Sequence, residues 1–479
     1  MPNQKVKPWT GLAWGGFERL IHVFGLFAVQ IVLARLLTPE DFGIVAIAMA
    51  LIAICSIFID AGLGNSIVQK RELLGKDASS ILIVNVCLGL MVSAILWLSA
   101  PVLGRFYEQP DLTHVLKWLS LIPLVGSVGV VPNALLLRNL KYRSLMMVNV
   151  PSVVISGGVG IIFALNGYGI WALVVQLVLM HFVKTLLALI WCGIGYWRGF
   201  EFSALKRHLP FGGNLLLANF INEIFNNIYS LIIGYAFTPV EVGYFQRARS
   251  IQQLPAKNIS QVIARVYFPL MSKSQDTPEE LSKLFWDSIR LGAYSLAPIL
   301  ILIVLGSPVL VPQVLGFHWL PMVEYLIPIC MVGIIYPLSV TNMNLLLSVG
   351  RSDVLLKLEI FKKSLVVLNI IVMLPLGILQ MLYGMVAVSM INLSINIVYG
   401  KAHSKIGLMR QWGQVLRVVA LSLVGGLTLV TILEKWNEQS WSVLFWAYAG
   451  GVLSFLGVVA IFDRATIQSM VSSLKKVRG

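Results

Sequence analysis

The chain has 479 residues, of which 58% are hydrophobic and only 12% are charged. Soluble proteins are about 25% charged, so this composition excludes an ordinary soluble enzyme. The net charge of +15 could suggest a nucleic-acid partner, but the basic residues lie mainly in short loops between apolar segments of about 20 residues, the length that crosses a bilayer. The sequence therefore predicts a polytopic membrane protein that binds membrane lipids and no nucleic acid.

Fourteen apolar segments follow one another and predict an all-α fold. They are 11–33, 43–66, 80–102, 113–132, 147–166, 169–195, 210–236, 240–269, 286–306, 320–346, 354–376, 380–400, 413–433 and 441–462. The longest outward connection is expected at 307–319, which leaves no segment long enough for a soluble catalytic domain. The four cysteines lie inside apolar runs without a C-x-x-C pair, so no metal site and no cofactor is expected.

The first two segments carry ionisable residues, which are costly inside a membrane and mark functional sites. Glu18, Arg19 and His22 lie in segment 1, which lacks a signal-peptide cleavage site and is expected to be the first membrane helix. Asp60 lies late in segment 2 and could instead cap or snorkel there. These four residues are candidates for coupling transport to a proton or ion gradient.

A turn between segments 1 and 2 recurs between segments 7 and 8. Thr38-Pro39-x-Asp41-x-Gly43 returns 200 residues later (238 − 38) as Thr238-Pro239-x-Glu241-x-Gly243. Each copy has the spacing of a capping box that opens a helix. Two independent helix starts would also explain the pair. Six segments separate the copies, so we expect two parallel six-helix lobes, an arrangement typical of transporters, with boundaries 1–200, 201–405 and, for the last two helices and a basic tail, 406–479.

Segment 7 carries polar residues along one helical face. They are Asn219, Asn222, Glu223, Asn226, Asn227 and Ser230, spaced at i, i+3, i+4, i+7, i+8 and i+11. A few such side chains would serve as interhelical hydrogen-bond partners. This number favours the wall of a water-filled cavity that contacts a glycan. Segment 12 carries a thinner stripe that includes Asn392 and Asn396, for which both interpretations stand.

Segment 8 is the most basic segment, with Arg247, Arg249, Lys257 and Arg265. One interpretation is that the outer arginines snorkel to the two interfaces and only the lysine is deep. The functional interpretation is a cationic lining for the phosphates of an anionic substrate.

The positive charges of the loops predict the orientation of the chain in the membrane. One set of loops together with both tails holds 21 Lys and Arg residues, whereas the other set holds 3. Positive residues accumulate on the cytoplasmic side, so both termini are expected in the cytoplasm.

Four stretches of the sequence resemble a known family. Leu33-Ala34-Arg35, Phe42-Gly43, the run D-x-G-x-x-N-S-I-x-Q at 60–69, and QQLPAKNISQVIARVYFPLMSKSQ at 252–275 are similar to the polysaccharide transporter family of the multidrug/oligosaccharidyl-lipid/polysaccharide exporter superfamily, and within it to the colanic-acid exporter type. The charged residues that related flippases use are not assigned one by one to this chain.

The resemblance implies a fourteen-helix, two-lobed flippase in the bacterial inner membrane. Its substrate would be an undecaprenyl-pyrophosphate-linked oligosaccharide, moved from the cytoplasmic to the periplasmic leaflet by alternating access. We expect a monomer without enzymatic activity, with polysaccharide polymerase and chain-length proteins as candidate partners. The alternatives are an ion-coupled drug antiporter of the same superfamily, which would need an acidic cavity, and a membrane polymerase or ligase, which would need a large outward loop.

Overall fold

The computed structural model describes residues 8–60, 63–70, 76–193, 199–436 and 440–463. These ranges contain sixteen α-helices, two 3-10 turns and no β-strand. The helices are α1 Pro8–Leu36, α2 Pro39–Asp60, α3 Leu63–Gln69, α4 Asp77–Phe106, α5 Pro110–Leu119, α6 Leu121–Arg138, α7 Tyr142–Leu165, α8 Trp171–Cys192, α9 Phe202–Ala236, α10 Pro239–Lys273, α11 Pro278–Val314, α12 Met322–Ser348, α13 Ser352–Met373, α14 Ile378–Ser404, α15 Leu408–Lys435 and α16 Trp441–Phe462. The 3-10 turns are Phe317–Trp319 and Leu374–Leu376.

The predicted all-α membrane fold is confirmed. Each of the fourteen predicted segments overlaps a helix, and the fourth overlaps the consecutive pair α5 and α6. Within the described ranges, ten helical segments are long and apolar enough to cross a membrane. The helices α9 and α10 have 35 residues each, and they carry the candidate site.

The predicted outward connection at 307–319 is wrong. Helix α11 continues to Val314, and Pro308 and Pro312 lie inside it. Proline removes a backbone donor and therefore disfavours the interior of a helix in water. Membrane helices tolerate proline because neighbouring helices and side chains satisfy the freed backbone groups.

The chain forms two compact units, Met1–Gly243 and Tyr244–Gly479. In the first unit α7 packs against α1 and α8, α6 packs against α4 and α8, and α9 packs against α2 and α4. In the second unit α11 packs against α12 and α15, and α15 forms a hairpin with α16. The lobe boundaries predicted at residues 200 and 405 stay a prediction.

Both predicted capping boxes are present. The Thr38 backbone N–H donates to Asp41 Oδ2 at 3.0 Å, its hydroxyl donates to the same oxygen at 2.8 Å, and the Asp41 N–H donates back to the hydroxyl at 3.3 Å. The corresponding distances between Thr238 and Glu241 are 2.9, 3.1 and 3.4 Å. The two turns therefore begin α2 and α10 in the same way.

Candidate functional site

The polar face of α9 remains largely accessible in the first unit. Asn219, Asn222 and Asn226 are exposed, whereas Glu223 and Asn227 are partly buried. The Asn227 amide donates to Glu223 Oε1 at 2.9 Å. Five of the six predicted residues are thus exposed or partly buried on one helix face, which can donate and accept hydrogen bonds.

Ser230, the sixth residue of that stripe, is fully buried. It follows Tyr229, which is 7% exposed, and precedes Ile233, which is fully buried. At Ser230 the polar face of α9 is buried. Ser230 therefore belongs to the packing of the first unit and not to the accessible part of the stripe.

Arg247 on α10 is packed under an aromatic residue and is only 6% exposed. Its guanidinium carbon lies 5.5 Å from the centre of the Trp319 ring, a cation–π distance. Tyr244 lies edge-on to the same tryptophan at 6.0 Å, and its hydroxyl donates to the His318 carbonyl at 3.1 Å. In the described state this arginine holds the start of α10 to the 3-10 turn.

The remaining cations of α10 are more accessible. Lys257, near the middle of the helix, and Arg265 are exposed, and Arg249 is partly buried with its guanidinium carbon 5.9 Å from the Phe245 ring centre. Three of the four predicted basic residues can therefore meet a solute in the second unit.

The two predicted asparagines of α14 are less accessible. Asn396 is 1% exposed and Asn392 is partly buried. Nearby, the Asn342 amide of α12 donates to Gln411 Oε1 of α15 at 2.9 Å, and both of these residues are fully buried. The location of Asn396 fits the alternative in which amides connect helices.

The candidates for ion coupling are only partly covered by the structure. His22 is partly buried on α1. The side chains of Glu18, Arg19 and Asp60 lie outside the residues that the structure describes.

Two ionisable residues in α8 are not among the predicted site residues. His181 and Lys184 are both partly buried, and His181 Nδ1 lies 3.0 Å from the Leu177 carbonyl oxygen. Their positions are on the helix face opposite the exposed Phe182 and Leu186. Two ionisable groups in an otherwise apolar segment were the signal that could have identified them.

Two other features of the described residues concern metal binding and apolar surface. They contain no group of three or more His, Cys, Asp or Glu side chains that could hold a metal ion. An apolar cleft of about 270 Å³ lies among α11, α12, α14 and α15 and includes Leu300, Cys330 and Trp412. The α9 face can hydrogen-bond hydroxyls, the exposed α10 cations can attract anions, and the cleft can hold hydrocarbon.

The sequence is similar to those of known proteins. A family model described as "Polysaccharide biosynthesis protein" matches residues 32–324. The lipopolysaccharide biosynthesis protein WzxC of Escherichia coli (strain K12) is 26% identical over 373 residues, which is 76% of this chain and 75% of that protein. The teichuronic acid biosynthesis protein TuaB of Bacillus subtilis (strain 168) is 23% identical over 363 residues, which is 74% of each chain.

Solved structures share the fold. The lipid II flippase MurJ in an inward closed conformation superposes with a TM-score of 0.70 at 15% identity, covering 96% of this chain and 99% of that chain. An inward-facing multidrug resistance MATE family transporter of the MOP superfamily superposes with a TM-score of 0.54 at 15% identity, covering 82% and 95%. At these identities the likeness concerns the fold alone.

Proposed function

The chain belongs to the polysaccharide biosynthesis protein family, and on that premise we propose that it flips an undecaprenyl-pyrophosphate-linked oligosaccharide from the cytoplasmic to the periplasmic leaflet of a bacterial inner membrane. The glycan is a repeat unit of O-antigen, capsule or exopolysaccharide. The protein acts as a transporter and makes or breaks no covalent bond in the substrate.

The accessible amide face of α9 is the observation that carries this proposal. A sugar presents many hydroxyls, each of which donates and accepts hydrogen bonds, and an asparagine amide offers both functions. Asn219, Asn222 and Asn226 repeat along the exposed face of one membrane helix, so a glycan lying along α9 could exchange water for amide contacts at several successive levels.

The basic residues of α10 are assigned to bind the pyrophosphate end of the substrate. A pyrophosphate carries negative charge and accepts charge-assisted hydrogen bonds from lysine and arginine. Lys257 and Arg265 are exposed and are the residues we assign to it, with Arg249 as an adjacent cation. Arg247 keeps a substrate role only if its contact with Trp319 opens during transport.

The polyprenyl tail needs no polar site, because its transfer out of the bilayer would be unfavourable. We propose that the tail stays in apolar surroundings while the head group moves along the polar residues, as alternating access requires. A proton or ion gradient would bias the cycle through Glu18, His22, Asp60 or Glu223.

The experiment that tests the proposal removes the positive charges of the two exposed cations assigned to the pyrophosphate. Lys257→Gln with Arg265→Gln is expected to reduce surface glycan at least about tenfold, since loss of about 1.4 kcal/mol of binding is a factor of ten. Export is measured in cells that lack their own exporter, with membrane-inserted protein quantified in parallel. Lys435→Gln, which removes an exposed cation at the end of α15, serves as the matched control.

Normal export by the double variant, at unchanged protein level, would refute the cationic assignment. A second measurement separates the flippase from the antiporter alternative. Reconstituted protein is expected to move a pyrophosphate-linked glycan across vesicles and to leave an organic cation gradient unchanged. Cation transport without glycan movement would favour the antiporter.

A further inference from the structure

The two copies of the repeated turn contact each other, and each contact joins a glycine to a proline carbonyl. A Cβ built on Gly43 of α2 would lie 1.7 Å from the carbonyl oxygen of Pro239, and a Cβ built on Gly243 of α10 would lie 2.0 Å from that of Pro39. Neither distance leaves space for a carbon atom. Only a glycine hydrogen fits, so each Cα–H faces the carbonyl of the other turn.

The contact is reciprocal in sequence as well as in space. The glycine of the first motif meets the proline of the second, and the glycine of the second meets the proline of the first. The starts of α2 and α10 therefore cross at their closest approach with backbone against backbone. We call this contact, formed by Pro39, Gly43, Pro239 and Gly243, the glycine crossing.

Each turn also carries hydrogen bonds of its own. The capping boxes supply three hydrogen bonds in each turn, all between the threonine and the acid of the same copy. Cα–H···O contacts across the glycine crossing are weaker than N–H···O bonds. The two helix starts can consequently separate while each keeps its own cap.

We propose that the glycine crossing closes the end of the protein that the loop charges place outside, and that it opens when the transporter exposes its substrate to the periplasm. This inference rests on the proposed alternating access. The motif carries no substrate-binding group, and its tight contact is a closure that forms and breaks in every cycle.

The first test enlarges the glycines. Gly43→Ala and Gly243→Ala place a methyl group against a backbone carbonyl and should hold the two helix starts apart. A reporter cysteine is introduced by Asn226→Cys after the four native cysteines are replaced. Labelling by a membrane-impermeant maleimide from outside is expected to rise severalfold. Gly126→Ala is the matched control, because nothing lies within 4 Å of a Cβ built there.

The second test keeps both glycines and locks the crossing. Cysteines introduced by Glu40→Cys, at an exposed position, and Val240→Cys, at a partly buried one, are bridged by a reducible bifunctional thiol reagent. Glycan export should stop when the bridge forms and return after reduction. This arm remains decisive if an alanine variant does not reach the membrane.

The outcomes separate the closure from the substrate assignment. Unchanged labelling of well-folded alanine variants, or continued export with the bridge complete, would overturn the proposal. If the chain carries another substrate, labelling still rises in the alanine variants while no glycan export is found in any variant, native sequence included. That result would refute the proposed function and leave the closure supported.

Discussion

Replacing Asp463 by alanine is expected to loosen the second unit at the end of α16. The carboxylate is 7% exposed and accepts a hydrogen bond from the Tyr294 hydroxyl of α11. Arg417 Nε of α15 lies 3.6 Å from Oδ2, and Arg290 Nη2 of α11 lies 3.9 Å from Oδ1. One acid thus connects three helices.

The expected loss in the free energy of unfolding is about 3 kcal/mol. A hydrogen bond to a charged group contributes about 1.5–3 kcal/mol, and its loss leaves the Tyr294 hydroxyl, in a residue 9% exposed, without that acceptor. The Arg417 side chain is 49% exposed, so solvent screening limits its pair to less than about 1 kcal/mol. Arg417→Gln is therefore the milder control.

A double-mutant cycle measures the coupling. Asp463→Ala, Tyr294→Phe and the double variant are compared by equilibrium unfolding of the detergent-solubilised protein in SDS. Because both single changes remove the same bond, the double variant should lose about 1.5 kcal/mol less than the sum of the two. Strict additivity, or an Asp463→Ala variant as stable as the native protein, would refute the reasoning.

Two further predictions concern helix ends and helix packing. Thr38→Ala and Thr238→Ala should each lower the free energy of unfolding by about 1 kcal/mol, because each removes the hydroxyl of an equivalent capping box. The same unfolding assay measures both losses. Clearly unequal losses would show that the two boxes are not equivalent. Gly384→Ala on α14 should destabilise by about 1–3 kcal/mol, because its Cβ would lie 1.8 Å from Asn369 Oδ1. Gly457→Ala, with nothing within 4 Å, is the control and should be neutral or stabilising.

Local features of the fold were predictable from the sequence, because their interactions lie within a few residues. The capping boxes are the clearest case, since all three bonds of each span positions i and i+3. The burial of Arg247 was not predictable, because its aromatic partner Trp319 lies 72 residues away (319 − 247). Helical phase alone indicates which residues share a face, and it does not indicate what that face meets.

The amide stripes of α9 and α14 show how part of that ambiguity can be resolved. Both stripes satisfy the same helical spacing, yet Asn396 is buried while Asn222 is exposed. The α9 stripe contains Glu223, whereas the α14 stripe contains no acid. Burying an unpaired carboxylate costs far more than burying an amide that finds a partner. An acid within a polar stripe therefore favours a face that stays hydrated, and Glu223 is the residue that distinguishes the two helices in the sequence.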